Sequence, residues 1–319
     1  MSTSRCGWMA TGHRALEVGT RVRARALRSG DARGNDRVRI ASRGWARERG
    51  RARARSTAED AKVDLRVASA GAILVPHPDK ADKGGEDACF VLKQSGAFGV
   101  FDGVGGWAEE GVDPAEYSEK FAEKSAQSIL RGTQDPVEVL RDAHEETQVV
   151  GSCTACIAML KDGNVLDVAN LGDAGALVAR QGSVVYKTVP QQHDFNLPYQ
   201  LGWVKVYPEG DRPEAADRSE TRMEPGDALV LGSDGLWDNV PHEEVAKLCA
   251  QYSGDAEECA EAIATLAFGY SCDPEYDSPF TQQARKAAEN RPEWGDRRSI
   301  IGGKMDDIAV VVAFVDKQR

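Results

Sequence analysis

Long apolar runs are missing from this chain: the longest, Ile308 to Val315, falls far short of the 18 or more residues that cross a bilayer as a helix. No transmembrane segment is expected. Lysine is absent from residues 1–56, where acidic residues number only 4 beside 15 arginines. That segment also lacks the continuous apolar stretch of a secretory signal. The seven cysteines are odd in number and follow no framework spacing, so reduced thiols are expected. Cys153-x-x-Cys156 has no second pair to complete a zinc site. Its surroundings read as a strand, in which positions three apart face opposite sides of a sheet. Histidines are few, five in all, and His144 reads as a packed helix residue because nothing acidic or nucleophilic flanks it at a useful spacing.

Charge is unevenly distributed. The first 56 residues carry +11, so the other 263 carry −22 of the net −11. The Arg-rich start fits an organelle transit peptide. A disordered basic tail or a nucleic-acid-binding arm is the alternative, but Trp8 and Trp45 are its only aromatics for stacking on bases. The acidic remainder would repel a phosphate backbone, so no nucleic-acid partner is expected. Residues 57–319 read as the functional domain.

What is abundant there is a repeated device: an apolar strand that runs into a carboxylate and then a glycine. Ala97 to Phe101 is such a strand and delivers Asp102-Gly103-Val104-Gly105-Gly106. Asp227 to Gly232 delivers Ser233-Asp234-Gly235. Glu86-Asp87 opens the strand that pairs with the Asp102 strand as a hairpin, and Asp306-Asp307 opens the apolar strand Ile308 to Val315, which must be central and covered on both faces. Between these lie two helices introduced by Asp113-Pro114 and Asp135-Pro136, each a capping residue followed by proline at the first helical position. A run of strands follows from Ser152 to Lys187. Its turns, among them Gly172-Asp173, read as consecutive hairpins. Residues 190–226 are polar and weakly periodic and read as a functional excursion beside the site, and 271–301 reads as a variable stretch.

Several carboxylates brought to one place resist joint ionisation unless a cation joins them. With oxygen donors alone and no thiolate or histidine nearby, the cation is Mg²⁺ or Mn²⁺ rather than zinc. Two such ions could ready a hydroxide and neutralise a phosphoryl group, so the chemistry implied is metal-assisted hydrolysis of a phosphate ester. Cysteine-based phosphate chemistry is not expected, for the chain lacks a Cys-x5-Arg cradle.

Six motifs in order then make the chain resemble the type 2C, or PPM, metal-dependent protein phosphatases over roughly residues 65 to 316. They are Gly84-Gly85-Glu86-Asp87, Asp102-Gly103-Val104-Gly105-Gly106-Trp107, Gly151-Ser152 with Thr154-Ala155, Asn170-Leu171-Gly172-Asp173, Ser233-Asp234-Gly235-Leu236-Trp237-Asp238-Asn239 and Gly302-Gly303-Lys304-Met305-Asp306-Asp307. Pro76-His77-Pro78-Asp79-Lys80 and the stretch from Gln192 to Leu201 look like the organellar branch, which has mitochondrial and chloroplast members. The spacing of Val112-Asp113-Pro114 and of Ser278-Pro279-Phe280 is more similar to chloroplast enzymes acting on phosphorylated photosystem core proteins.

The resemblance implies an α+β fold, a four-layer α-β-β-α sandwich around two antiparallel sheets, and serine/threonine phosphatase activity. It implies that Asp102 bridges two ions, that the Gly103 carbonyl binds one and that Asp234 and Asp306 bind the other. Glu86 and Asp87 would hold waters on the ions, and Asp173 would serve a third, weaker ion. The expected partner is a phosphorylated protein, with thylakoid phosphoproteins as candidates. A monomer in the chloroplast is expected, the mitochondrion being the alternative compartment. The rival reading is a pseudophosphatase that only binds phosphoprotein. Two departures from the family pattern stand out. Asp82 occupies the position of a phosphate-gripping arginine, leaving Lys80 or Lys83 to substitute. Val104 occupies that of a proton-donating histidine, leaving metal-bound water, His77 or His193 as the source of the proton.

Overall fold

The computed structural model describes residues 64–318 except 162, 295, 297 and 298, together with short strands at 16–17 and 22–24. The transit-peptide expectation for residues 1–56 otherwise lies outside the described residues, as does Cys6.

The first strand, β1 (Leu65–Val75), ends at Pro76, where the missing N–H closes the ladder. The hairpin of β2 (Asp87–Leu92) and β3 (Ala97–Asp102) follows, turned through Gly96 at φ 63°. Helix α1 (Pro114–Leu130) starts where the Asp113 carboxylate accepts from the Ala115 amide, and α2 (Pro136–Glu146) where Asp135 accepts from Val137 and Glu138. Both caps are therefore formed as their sequences predict. Next come β4 (Ala155–Leu160), β5 (Val165–Leu171), β6 (Gly175–Arg180), β7 (Ser183–Lys187), β8 (Asp217–Arg222) and β9 (Ala228–Gly232). The chain continues through α3 (His242–Gln251), α4 (Ala256–Ser271), α5 (Pro279–Ala287) and β10 (Ile308–Lys317).

These strands form two antiparallel sheets, ordered β2-β3-β4-β5-β8 and β7-β6-β9-β10-β1. The short strands Leu16–Glu17 and Val22–Ala24 lie parallel on their β2 and β1 edges. Val67, Val91, Val100, Val168, Leu231 and Val311 pack between the sheets. Tyr117, Phe121 and Leu140 seal the first sheet beneath α1 and α2, while Val245, Cys259 and Ile263 seal the second beneath α3 and α4. The result is the α-β-β-α sandwich. β10 is central, between β9 and β1, and Ile308 to Val315 is buried throughout, as its two-sided hydrophobicity requires.

Several local expectations need correction. Gly172-Asp173 is not a hairpin turn: β5 belongs to the first sheet and β6 to the second, so this turn carries the chain across the sandwich. Gly172 adopts φ 96°, and a Cβ there would meet the Tyr199 carbonyl at 2.6 Å. The strand expected from Cys153 to Leu160 is broken at Thr154, and Ser152–Cys153 pairs instead with Leu201–Gly202. Leu130, although apolar, is exposed in the last turn of α1. The polar excursion contains a full edge strand, β8, which pairs residue by residue with β5 despite having no apolar side chain. The cysteine reading stands: Cys153 packs under α1 and Cys156 between the sheets, and all six described cysteines are free thiols.

Candidate active site

Strand ends at one edge of the sandwich bring the predicted acids together. Asp87 and Asp102 are register partners at the open end of the β2-β3 hairpin. Asp102 meets the field of Asp87, Asp234, Asp306 and Asp173, and together with burial they raise its pKa well above the ordinary carboxylate range. Asp87 is raised likewise, by burial first and then by Asp307. Its Oδ2 accepts from Ser233 Oγ at 2.7 Å, and that hydroxyl accepts in turn from the Ala309 amide at 2.9 Å, so β9 and β10 orient an acid that belongs to β2.

Glycine allows the close approaches. A Cβ on Gly103 would meet the Glu86 carbonyl at 2.6 Å, and one on Gly235 would meet the Asp307 carbonyl at 2.0 Å. The backbone beside Asp102 therefore lies against Glu86, and the turn after Asp234 against Asp306-Asp307. Asn239 fastens this second contact, donating to the Lys304 carbonyl at 2.8 Å and accepting from its amide at 2.9 Å.

Two ammonium groups flank the acids. Lys80 Nζ donates to Glu86 Oε2 at 2.6 Å and Asp307 Oδ2 at 3.0 Å. Burial works to lower its pKa, but Asp307 and Glu86 outweigh that and raise it. Lys304 Nζ contacts Asp234, Asp238 at 2.8 Å and Asp306 at 3.3 Å. Burial again opposes its charge, and the three carboxylates again prevail. Asp173 is pushed up to about 6 by burial and then Asp234, with Gln192 donating to its Oδ2 at 3.0 Å. Burial pushes Asp238 up to about 7, Lys304 pulling it down and Asp234 adding to the rise.

Glu86, Asp87, Asp102, Gly103, Asp173, Asp234 and Asp306 thus share one end of the molecule. Lys80 reaches the acids, whereas Lys83 and Asp82 face solvent. His193 hydrogen-bonds Asp211 and stacks on Tyr199, and the His77 amide donates to Asp307 Oδ1 at 2.6 Å. Sequence reasoning quoted Ser233, Gln192, Asp238 and Lys304 within motifs without giving them a role, and counted Asp307 among the converging acids without seeing that it pairs with Lys80. For all but Gln192, which is 19 residues from its partner Asp173, the signal was nearness along the chain to the predicted acids, which does not reveal orientation.

Among the described residues no three Asp, Glu, His or Cys side chains form a closed cage for an ion. The donor set nevertheless suits a hard cation. Asp87 Oδ1, Asp173 Oδ1 and Asp234 Oδ1 are buried without a hydrogen-bond partner, and every candidate donor is oxygen.

Comparisons with known proteins bear on the family and the fold. The model of the family described as Protein phosphatase 2C matches residues 83–198 and 211–274. A probable protein phosphatase 2C of Oryza sativa subsp. japonica is 40% identical over 255 residues, covering 78% of this chain and 76% of that protein. A protein phosphatase PTC7 homolog of Xenopus laevis is 36% identical over 250 residues, covering 72% and 81%. The X-ray structure of the photosystem II phosphatase PBCP superposes with a TM-score of 0.71 at 39% identity, covering 78% of this chain and 98% of that one. With the sandwich and the family model in accord, the chain belongs to the protein phosphatase 2C family of serine/threonine phosphatases.

Proposed function

We propose that this chain hydrolyses phosphoserine and phosphothreonine esters of proteins with two Mg²⁺ or Mn²⁺ ions at its acidic end. The observation that carries the reading is a cluster of aspartates on converging strand ends in which Asp87, Asp173 and Asp234 each keep one buried carboxylate oxygen without a hydrogen-bond partner. Asp102 would be shared by both ions, with the Gly103 carbonyl on one and Asp234 and Asp306 on the other. Asp173 would take a third, weaker ion. Bound there, the ions supply a hydroxide at neutral pH and offset the charge of the phosphoryl oxygens.

The protein's own part is orientation. Ser233 aims Asp87, and Lys80 aims Glu86, so both can accept hydrogen bonds from water around the ions. Lys80 uses two of its three N–H donors on Glu86 and Asp307 and keeps one for an incoming phosphate oxygen.

The reading extends to the chloroplast, supported by the Arg-rich start and by the likeness to the photosystem II phosphatase, and thylakoid phosphoproteins are the proposed substrates. No helix among the described residues is long and apolar enough to cross a membrane. Manganese-dependent release of phosphate from phosphoserine peptides is the direct test. Asp234→Asn should lower that turnover and manganese affinity by roughly 100-fold or more. A folded variant with full activity would overturn the mechanism. Import of labelled full-length chain by isolated chloroplasts tests the compartment, and import by mitochondria alone would refute it.

A further inference from the structure

An aromatic ridge leads away from the acids. Phe280 is tied to them twice: its amide donates to the Asp238 carbonyl at 3.0 Å, and Lys304 Nζ lies 5.3 Å from its ring centroid. Phe195 sits at the tip of a small hairpin, Gln192–Asp194 against Leu197–Pro198, next to Asn196 at φ 54°. From that tip its ring reaches Phe280 at 5.2 Å and Trp294 at 5.6 Å. Arg291 caps the ridge, its guanidinium 4.7 Å from the Trp294 centroid and paired with Asp194. Two segments remote in sequence, the 190–226 excursion and the stretch after α4, thus meet in one apolar strip that begins at the candidate metal ligands.

Phe195 and Phe280 are half-buried, and the strip opens to solvent at its far end. Trp294 keeps 40% of its surface in solvent. Of the exposed large apolar residues among the described residues, Leu197, Val204, Val206, Trp294 and Ile301 lie on these same two segments, and Leu130, Val185 and Val189 lie elsewhere. The excursion is anchored at the catalytic end by Gln192 on Asp173, by Gln200, which accepts from Ser152 at 2.6 Å, and by Tyr207 against Trp107 at 5.9 Å. An aromatic strip left partly open beside an acidic cluster marks a contact for another molecule, and tryptophan beside arginine is the composition that carries most binding energy at such contacts.

We propose that Phe280, Phe195 and Trp294 form the subsite for the polypeptide next to the phosphorylated residue, and that the subsite takes an apolar or aromatic side chain. The inference rests on the phosphatase reading and adds the class of substrate sequence. A substrate whose phosphate sits among the acids must lay its neighbouring residues across this rim. At about 3.3 Å per extended residue, the steps from Lys304 to Trp294 span on the order of five residues. The acid excess of residues 57–319 selects against acidic neighbours. Arg291, already paired with Asp194, leaves the ridge to be read chiefly by its rings.

The test is a panel of phosphoserine peptides in a glycine-serine background, with one phenylalanine moved through five positions on each side. For the wild-type protein with manganese, phenylalanine at one or two positions should raise kcat/KM by roughly 5- to 10-fold, mainly through KM. Trp294→Ala and Phe195→Ala should each bring that peptide down to the glycine value, whereas Val185→Ser, an exposed residue on β7, should keep the preference. A wild-type protein indifferent to phenylalanine at every position would overturn the inference even if a variant failed to fold. Retention of the preference by both folded variants would also overturn it. Flotation of the wild type with phosphatidylglycerol vesicles, lost in Trp294→Ala and without a peptide preference, would assign the ridge to a lipid surface instead. Absence of manganese-dependent turnover of any peptide would overturn the phosphatase reading and this inference together.

Discussion

Asp87 and Asp102 stand directly opposite one another at the end of the β2-β3 hairpin, two acids where a sheet ordinarily avoids like charges. Burial raises both, with Asp307 adding to the rise at Asp87 and Asp87 to that at Asp102, while burial and then Asp234 push Asp173 up to about 6 and burial pushes Asp238 up to about 7 against the pull of Lys304.

The first prediction concerns stability of metal-free protein. A buried acid whose pKa is raised on folding binds its proton more tightly in the folded state, so stability falls as pH rises from the unfolded value near 3.8 through about 6 to 7. Thermal unfolding with chelator present should shift to lower temperature across that window. Asp173→Asn and Asp238→Asn should flatten the slope, and manganese should abolish it. A melting temperature that rises from pH 5 to 7 in metal-free protein would contradict the geometry.

Lys304 is the internal cation of the cluster. Replacing it with methionine leaves Asp234, Asp238 and Asp306 without their ammonium partner, a buried charge imbalance costing roughly 3–5 kcal/mol. Denaturant titration of metal-free Lys304→Met should show this loss, and added manganese should recover much of it. An unchanged midpoint would mean that the ion pairs contribute nothing.

Gly235 and Gly106 make a matched pair. A Cβ at Gly235 would lie 2.0 Å from the Asp307 carbonyl, whereas one at Gly106 meets nothing within 4 Å. Gly235→Ala should therefore destabilise by about 1–3 kcal/mol and weaken manganese binding by parting Asp234 from Asp306, while Gly106→Ala should be close to neutral. Calorimetry on both variants separates the two effects.

Val104 offers no proton to a leaving alkoxide. Aryl phosphates, whose leaving groups need less protonation, should be turned over faster than alkyl phosphates. His193 is held by Asp211 and Tyr199, so His193→Ala should leave the pH–rate profile for an alkyl phosphate unchanged. A shifted acidic limb would identify it as the proton donor after all.

The elements themselves were largely legible along the chain. Asp113-Pro114 and Asp135-Pro136 announced α1 and α2 because a cap acts on amides two or three residues away. Ser278-Pro279 carries the same signal and does open α5, with the Ser278 hydroxyl accepting from the Thr281 amide. That helix lay unread within the 271–301 stretch because its apolar face is short. β8 could not be read at all: an edge strand made of Asp, Arg, Ser, Glu and Thr has no hydrophobic alternation, and its backbone pairing with β5 is what makes it a strand.

By itself the sequence determined which residues would be strands with acids at their ends and where glycine must follow. Those are local matters of side-chain size, backbone freedom and charge. Only the tertiary structure decided that Gly172-Asp173 crosses between sheets, that Ser233 of one sheet orients Asp87 of the other, and that Phe195 meets both Phe280 and Trp294. These contacts join residues from tens to well over a hundred positions apart, and their partners are chosen by the burial of whole faces, which no neighbour along the chain encodes.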